Sequence, residues 1–463
     1  GFGTILSQSA AESVRYSSPT SFFMLRSRLF VLLCVILLTG AVAAWQLPAI
    51  LQALPSRYLA RLPQPIQVLG MPEHVEVLPT AAAPATHPAQ LDAIPIQPTA
   101  TRPPAIVVAS PTLAAASPTA TATPTPTNTP SPTPIPFPPA ARVEPFIHQF
   151  QTWNNCGPAT LAMSLSHFGL RLSQDQTAAV LKPNPEDRNV SPQEMAAYVN
   201  NETEVGAIAR ANGNLDTLRR LLANGFPVIV ELGIDPPGDY AWMGWYGHYL
   251  LVVAYDDATE EVWVYDSWFG TSEVIGENAN TLGRTVSYAD LDHYWQQFNR
   301  NYVALYAREQ ASQVATLIGP AMDDIVMWEG ALATAQADMQ SDPGNPYTWF
   351  NLGTDLNALG RYQEAAEAYD TARTIGLPWR MLWYQFGPYE AYYQVGRYDD
   401  VILLADVTLD YRSYFEESFY YRGLAKLALG DNEGARADLE AAVAFNPNFQ
   451  TAVDALISLD KGG

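Results

Sequence analysis

The chain has 463 residues, 47 of them acidic and 25 basic, for a net charge of -22. That length predicts two or three domains, and an apolar content of 48% excludes a wholly disordered polypeptide. So acidic a surface repels phosphate backbones, so nucleic acid is not an expected partner.

Arg26 and Arg28 precede the uncharged run from Leu29 to Trp45. Carried as helix to Leu47, it would be about 28 Å long, enough for a bilayer core. The arginines predict a cytoplasmic N-terminal side, with everything after Trp45 outside. Residues 24–47 are therefore expected to be a signal anchor or a signal peptide. Ala41-Val42-Ala43 fits a small-residue cleavage site, which would leave a secreted form. The expected location is the cell membrane, single-pass, with the C-terminal domains extracytoplasmic. Met24 is a candidate start, and residues 1–23 are an extension to which no structure is assigned. Residues 48–140 read as a linker rich in Pro, Thr and Ala, densest from Thr121 to Pro134. It has too few large apolar side chains to offset the entropy of folding, so it is expected to be disordered. In extended polyproline form about sixty such residues would reach on the order of 190 Å, which suits a tether.

Composition turns globular near Val143. Cys156 opens an apolar helix that runs to Phe168 and stops at Gly169, with Pro158 in its first turn. A cysteine at a helix N-terminus meets unsatisfied N–H groups and the positive end of the macrodipole, both of which favour a thiolate. Gln151, five residues earlier, is placed to share an oxyanion hole with the Cys156 N–H. The bland alternative is a small buried hydrophobe at the start of a core helix. The other cysteine, Cys34, lies in the apolar N-terminal run, so Cys156 is expected to be a free thiol.

Ser191-Pro192-Gln193-Glu194 predicts a second helix start, and Asn214 to Leu222 a third helix closed by Asn224-Gly225. The periodicity then changes. Residues 227–232, 248–255, 261–265 and 301–306 are short runs of branched and aromatic side chains, as buried strands are. Helices first and strands afterwards predict an α+β domain over residues 141–310.

A base for Cys156 has to come from six histidines. His74 and His87 lie in the linker, and His167 is about 16 Å along the same helix. His148 and His293 stay open. His248 has the best context, opening a strand after Gly247, while Asp266 closes the next strand. In an antiparallel hairpin those two ends are neighbours, so Asp266 can orient the ring while its other nitrogen faces the thiol. Trp242, Trp245 and Tyr246 either line a substrate cleft or pack in the core.

Gln151 to Gly169, with Gly247-His248-Tyr249 and Tyr265-Asp266, resembles the bacteriocin-processing cysteine peptidases and their stand-alone relatives. The resemblance covers about residues 143–308. It implies a papain-like fold, with Cys156 as nucleophile, His248 as general base and acid, Asp266 as orienting residue and Gln151 in the oxyanion hole. It implies no metal or cofactor, and a peptide or protein as substrate. Transporter-fused members cut leader peptides after a Gly-Gly pair, and no transporter core or ATP-binding motif occurs here. Ser267 follows Asp266 where many relatives carry proline.

Gly360-Arg361-Tyr362, Gly396-Arg397-Tyr398 and Gly430-Asp431-Asn432 recur at spacings of 36 and 34. With Trp349, Leu352-Gly353, Ala365, Tyr369 and Ala372, and again Gly423, Ala435, Leu439 and Ala442, they resemble tetratricopeptide repeats. An all-α solenoid is expected over 321–463, with a capping helix over 321–340 and a looser middle unit. Its concave face predicts a protein partner. Trp379, Trp383, Tyr384, Tyr389 and Tyr393 belong either to that face or to the core of the middle unit. Three functions fit the sequence: a tethered thiol peptidase, a non-catalytic peptide-binding scaffold, or a transferase using the same acyl-enzyme.

Overall fold

The structure is a computed structural model that describes residues 137–235, 244–272, 274 and 276–462. It also describes 77–81 and, in a separate unit comprising residues 1–74, the short pieces 45–47, 50–51 and 66. The apolar run Leu29–Trp45, the cleavage motif, most of the linker, His74, His87 and Trp242 lie outside the described residues, apart from Trp45 itself. Among the described residues no helix is long and apolar enough to cross a membrane.

Residues 137–310 form an α+β domain. Its elements are β1 (Ala140–Arg142), α1 (Cys156–Ser166), α2 (Gln174–Leu181), α3 (Pro192–Glu202), β2 (Val205–Arg210), α4 (Leu215–Ala223), β3 (Val228–Ile234), β4 (Tyr246–Asp256), β5 (Glu261–Asp266), β6 (Arg284–Ser287), α5 (Tyr288–Trp295) and β7 (Tyr302–Ala307). The antiparallel sheet runs β2-β7-β3-β4-β5-β6, and β1 pairs with the far end of β4. The four expected strands are present. β2, however, lies between α3 and α4, so helices and strands are not segregated along the chain as expected. Its sequence, Val-Gly-Ala-Ile-Ala-Arg, is too rich in small residues to stand out as a strand. α3 starts as expected: Ser191 and Glu194 form a reciprocal capping box, with Pro192 in the first turn.

The central strands are mostly apolar on both sides because both faces are covered. Leu161, Met163 and Leu165 of α1, with Met195 and Val199 of α3, pack on Ile229, Leu251 and Val303. On the other face, Leu218, Leu221 and Leu222 of α4 and Trp295 of α5 cover Val228, Val230, Val252 and Val264. α1 is therefore clamped between sheet and helices, which fixes where its first residue sits.

The C-terminal region is all helical. After α6 (Ala311–Ile318) and α7 (Asp324–Ser341) come three hairpins: α8 (Pro346–Ala358) with α9 (Tyr362–Ile375), α10 (Gly387–Gln394) with α11 (Tyr398–Tyr411), and α12 (Glu416–Ala428) with α13 (Asn432–Phe445). α14 (Gln450–Gly462) closes the array. Gly360, Gly396 and Gly430 end the first helix of each hairpin with φ of 74°, 77° and 86°, a left-handed conformation that disfavours side chains. That requirement explains the recurring glycine. The middle hairpin is the irregular one because a 3-10 turn, Trp379–Trp383, precedes a first helix of only eight residues. Trp379, Trp383 and Tyr389 are buried, which assigns them to the core.

This region is joined tightly to the α+β domain. Trp245 stacks on Phe298 at 5.7 Å, and Tyr384 meets both edge-on. Asn299 Nδ2 donates to Asp355 Oδ1 (2.6 Å), and Arg380 Nη1 donates to the Trp245 carbonyl (3.0 Å). Within the expected linker, Leu78 is buried in the helical core. Its N–H donates to the Leu377 carbonyl (2.9 Å), and Arg373 Nε donates to the Pro79 carbonyl (2.7 Å).

Candidate active site

The segment before α1 is irregular but held at nearly every residue. Gln174, the first residue of α2, is buried, and its Oε1 accepts from the Thr152 N–H (2.6 Å) and hydroxyl (3.0 Å). Its Nε2 donates to the Phe150 carbonyl (2.8 Å). Asn154 sits at φ 55°, and its carbonyl accepts from Lys182 Nζ (2.8 Å). These contacts set the entry to α1, so Cys156 stands at the helix N-terminus, half-buried and without a disulfide. The N–H groups of that first turn have no acceptor inside the helix.

His248 lies near the start of β4, and Asp266 ends β5. Asp266 is in register with Leu250, so His248 is its diagonal neighbour on the same sheet face. The outcome is a hydrogen bond from His248 Nε2 to Asp266 Oδ1 of 2.8 Å between two buried side chains. Cys156 lines the same cleft and is one of the groups that raise the ring's proton affinity, and Nδ1 is the nitrogen left to face it. Asp266 Oδ1 also accepts the N–H groups of Trp268 (2.8 Å) and Phe269 (3.0 Å).

The electrostatics follow from this arrangement. Burial alone would depress His248, but the Asp266 charge and hydrogen bond, then Cys156, push it up to about 10. Burial would raise Asp266, but His248 and the two backbone N–H groups hold it below the usual carboxylate range. The ring is therefore an imidazolium at neutral pH. Behind the cysteine, burial brings Lys182 down to about 8, against the pull of Asp187 and Cys156.

Gln151 is the fourth expected residue. Its N–H donates to the Ser267 carbonyl (2.7 Å), and its Oε1 accepts the Ser267 hydroxyl (2.8 Å). With the oxygen held, the amide Nε2 is the end left for the cleft. Ser267, the departure from the expected proline, thus has a contact of its own. Cys156, Gln151 and His248 line one open cleft, together with Arg188, Tyr246 and Tyr384.

The other histidines are placed elsewhere. His148 Nε2 bonds the backbone carbonyl of Asp266 (2.8 Å), His167 packs between Phe146 and Phe168, and His293 is exposed on α5. Trp245 is core and Tyr246 lines the cleft. The sequence reading missed Gln174, Arg188 and the cleft role of Tyr384. Ser173-x-x-Gln176, a capping box opening α2, is the signal that would have drawn attention to Gln174. No group of His, Cys, Asp and Glu among the described residues could hold a metal ion.

Residues 143–303 match the Peptidase_C39 like family. This part of the chain is a Peptidase_C39-like domain. A solved structure of a putative C39-like peptidase from Bacillus anthracis is 15% identical, with 36% of this chain and 98% of that one covered and a TM-score of 0.27. MamA is 17% identical over 29% of this chain and 78% of its own, with a TM-score of 0.26. The first TPR of Spaghetti (RPAP3), bound to an HSP90 peptide, is 19% identical over 26% of this chain and 92% of its own, with a TM-score of 0.23. No curated protein matches the chain. The C39-like domain is followed by a tetratricopeptide-like helical region.

Proposed function

We propose that the C39-like domain is a papain-like cysteine peptidase that cuts peptide bonds through Cys156, His248 and Asp266, with Gln151 in the oxyanion hole. The observation that carries this reading is the buried His248 ring, bonded to a carboxylate on one side and sharing its cleft with a thiol at a helix N-terminus on the other. In the proposed cycle the Cys156 thiolate attacks a peptide carbonyl, and the developing oxyanion takes hydrogen bonds from Gln151 Nε2 and the Cys156 N–H. His248 gives its proton to the leaving amine. A water then attacks the thioester, passing one proton to His248, and the acid product leaves as the thiolate re-forms. Asp266 stays ionised throughout and orients the ring.

Residues 24–47 are proposed to anchor or export the chain, leaving both folded regions extracytoplasmic, and the helical region is proposed to recruit a protein. The uncharged run after Arg26 and Arg28 and the repeat pattern support these readings. Digestion of an unbiased peptide library by wild type and Cys156→Ala tests the peptidase. Cleavage that vanishes with Cys156→Ala is expected, whereas identical digests would leave a peptide-binding scaffold. Transfer of acyl groups to added amines, with no hydrolysis, would identify a transferase.

A further inference from the structure

Arg188 lies in the loop between α2 and α3 and lines the same cleft as Cys156 and His248. Its guanidinium is held between aromatic faces, 5.0 Å from the Trp153 ring centre, 4.8 Å from Trp383 and 6.0 Å from Tyr246. Trp153 is three residues before the thiol, and Tyr246 is two before the histidine, so the cation stands beside the reacting pair. Trp383 comes from the helical region, which therefore helps to hold Arg188 in place.

Among the described residues no carboxylate forms a salt bridge with Arg188, and its Nε is buried without a hydrogen-bond partner. The neighbours that face it are the phenols of Tyr246, Tyr384 and Tyr414. Asp187, next in sequence, is turned away: its Oδ1 accepts the Asn189 N–H (2.9 Å), and its charge faces Lys182. Two further guanidiniums, Arg380 and Arg412, stand behind. Arginine keeps its charge in proteins, and its planar fork suits a carboxylate in two-point contact. Stacking has already restricted the side chain, so little further order is lost when an anion binds. In a chain of net charge -22, a half-buried cation at the reaction centre with no carboxylate partner implies an anionic ligand.

We infer that Arg188 is the specificity-determining residue of the cleft and receives a carboxylate of the peptide substrate next to the scissile bond, an acidic side chain or a free C-terminus. This rests on the thiol-peptidase reading, and the test separates the two. On the full chain, the rates at which iodoacetate and iodoacetamide alkylate Cys156 are measured by mass spectrometry, which resolves it from Cys34. The ratio of the two rates is the readout, because a general change in thiol reactivity cancels. In wild type the ratio is expected to exceed that of a free cysteine peptide at least tenfold. It falls toward the free value in Arg188→Gln and is only partly restored in Arg188→Lys, which keeps the charge but neither the fork nor the stacking. A wild-type ratio equal to the free peptide, or a ratio indifferent to Arg188→Gln, overturns the inference. The first of these criteria holds even if Arg188→Gln fails to fold.

Paired peptides then identify the source. A kcat/KM preference for internal Glu over Gln that Arg188→Gln abolishes assigns an acidic side chain. A preference for a free over an amidated C-terminus assigns the terminal carboxylate. Equal turnover across both pairs overturns the inference, whereas failure to cut any peptide overturns the peptidase reading and leaves the alkylation ratio to score Arg188.

Discussion

Asp266→Asn isolates the charge that makes His248 an imidazolium. The substitution keeps the shape of a buried side chain whose Oδ1 accepts His248 Nε2–H and two backbone N–H groups, and removes only the negative charge. Raising an imidazolium from an ordinary value near 6.5 to about 10 corresponds to roughly 5 kcal/mol, with Asp266 the first stabilising cause and Cys156 the next. Without the carboxylate, burial works unopposed by its main partner, and the ring is expected to fall to its ordinary value or lower. At pH 7.5 the imidazolium fraction then drops from nearly complete to about one tenth or less. The assay is the pH titration of the His248 ring followed by NMR. Wild type should hold the imidazolium through neutral pH and release its proton only at about 10. Asp266→Asn should release it near the ordinary value of about 6.5 or below. Superimposable profiles would refute the claim that Asp266 charges the ring.

Gln151→Ala should lower kcat by on the order of 100-fold with little change in KM, while Ser267→Ala, which frees the amide without removing it, should cost several-fold less; equal losses in steady-state assays would mean that Ser267 does more than orient Gln151. Glu231 is buried, accepts from Asn301 Nδ2 (2.7 Å), and is pushed up to about 8 by burial. Between about pH 4.5 and 8 the folded protein binds a proton there that the unfolded chain does not, so wild-type stability should fall as pH rises through that window. Glu231→Gln should flatten the fall and be more stable at pH 8 by up to about 5 kcal/mol, read from denaturant melts; an unchanged slope would exclude Glu231 as its cause. Leu78→Ala, at a site 1% exposed in the helical core, should cost about 2–4 kcal/mol. An unchanged melting temperature would mean that the 77–81 segment contributes nothing to that core.

The parts legible in the sequence are those with a local physical cause. Capping at Ser191, the strand runs before Gly233 and after Gly247, and the glycines that end each hairpin's first helix all follow from a few adjacent residues. The approach of His248 to Asp266 was also legible, because hairpin geometry makes strand ends neighbours. What was not legible depends on closure between distant segments. Arg188 sits in a loop between prolines 183 and 185 and a strand-free stretch, where no periodicity singles it out. Leu78 lies in a stretch read as disordered linker, where no periodicity marks a buried contact.

Gly247 shows how closely the two regions depend on each other. A Cβ there would come within 2.8 Å of Phe298 and 3.0 Å of Tyr384, so glycine at this position lets the helical region reach the strand that carries His248. Sequence alone reads Gly247 as a turn residue before a strand. In the folded chain it is the gap through which Tyr384 closes one wall of the cleft, while Trp383 beside it stacks on Arg188. The α+β domain without that region would expose Trp245 and Phe298, now 6% and 1% accessible, at the edge of the cleft. The helical region is therefore a structural part of the cleft as well as a candidate docking surface. Repeats that merely delivered a partner would not need Trp383 and Tyr384 packed around the start of β4.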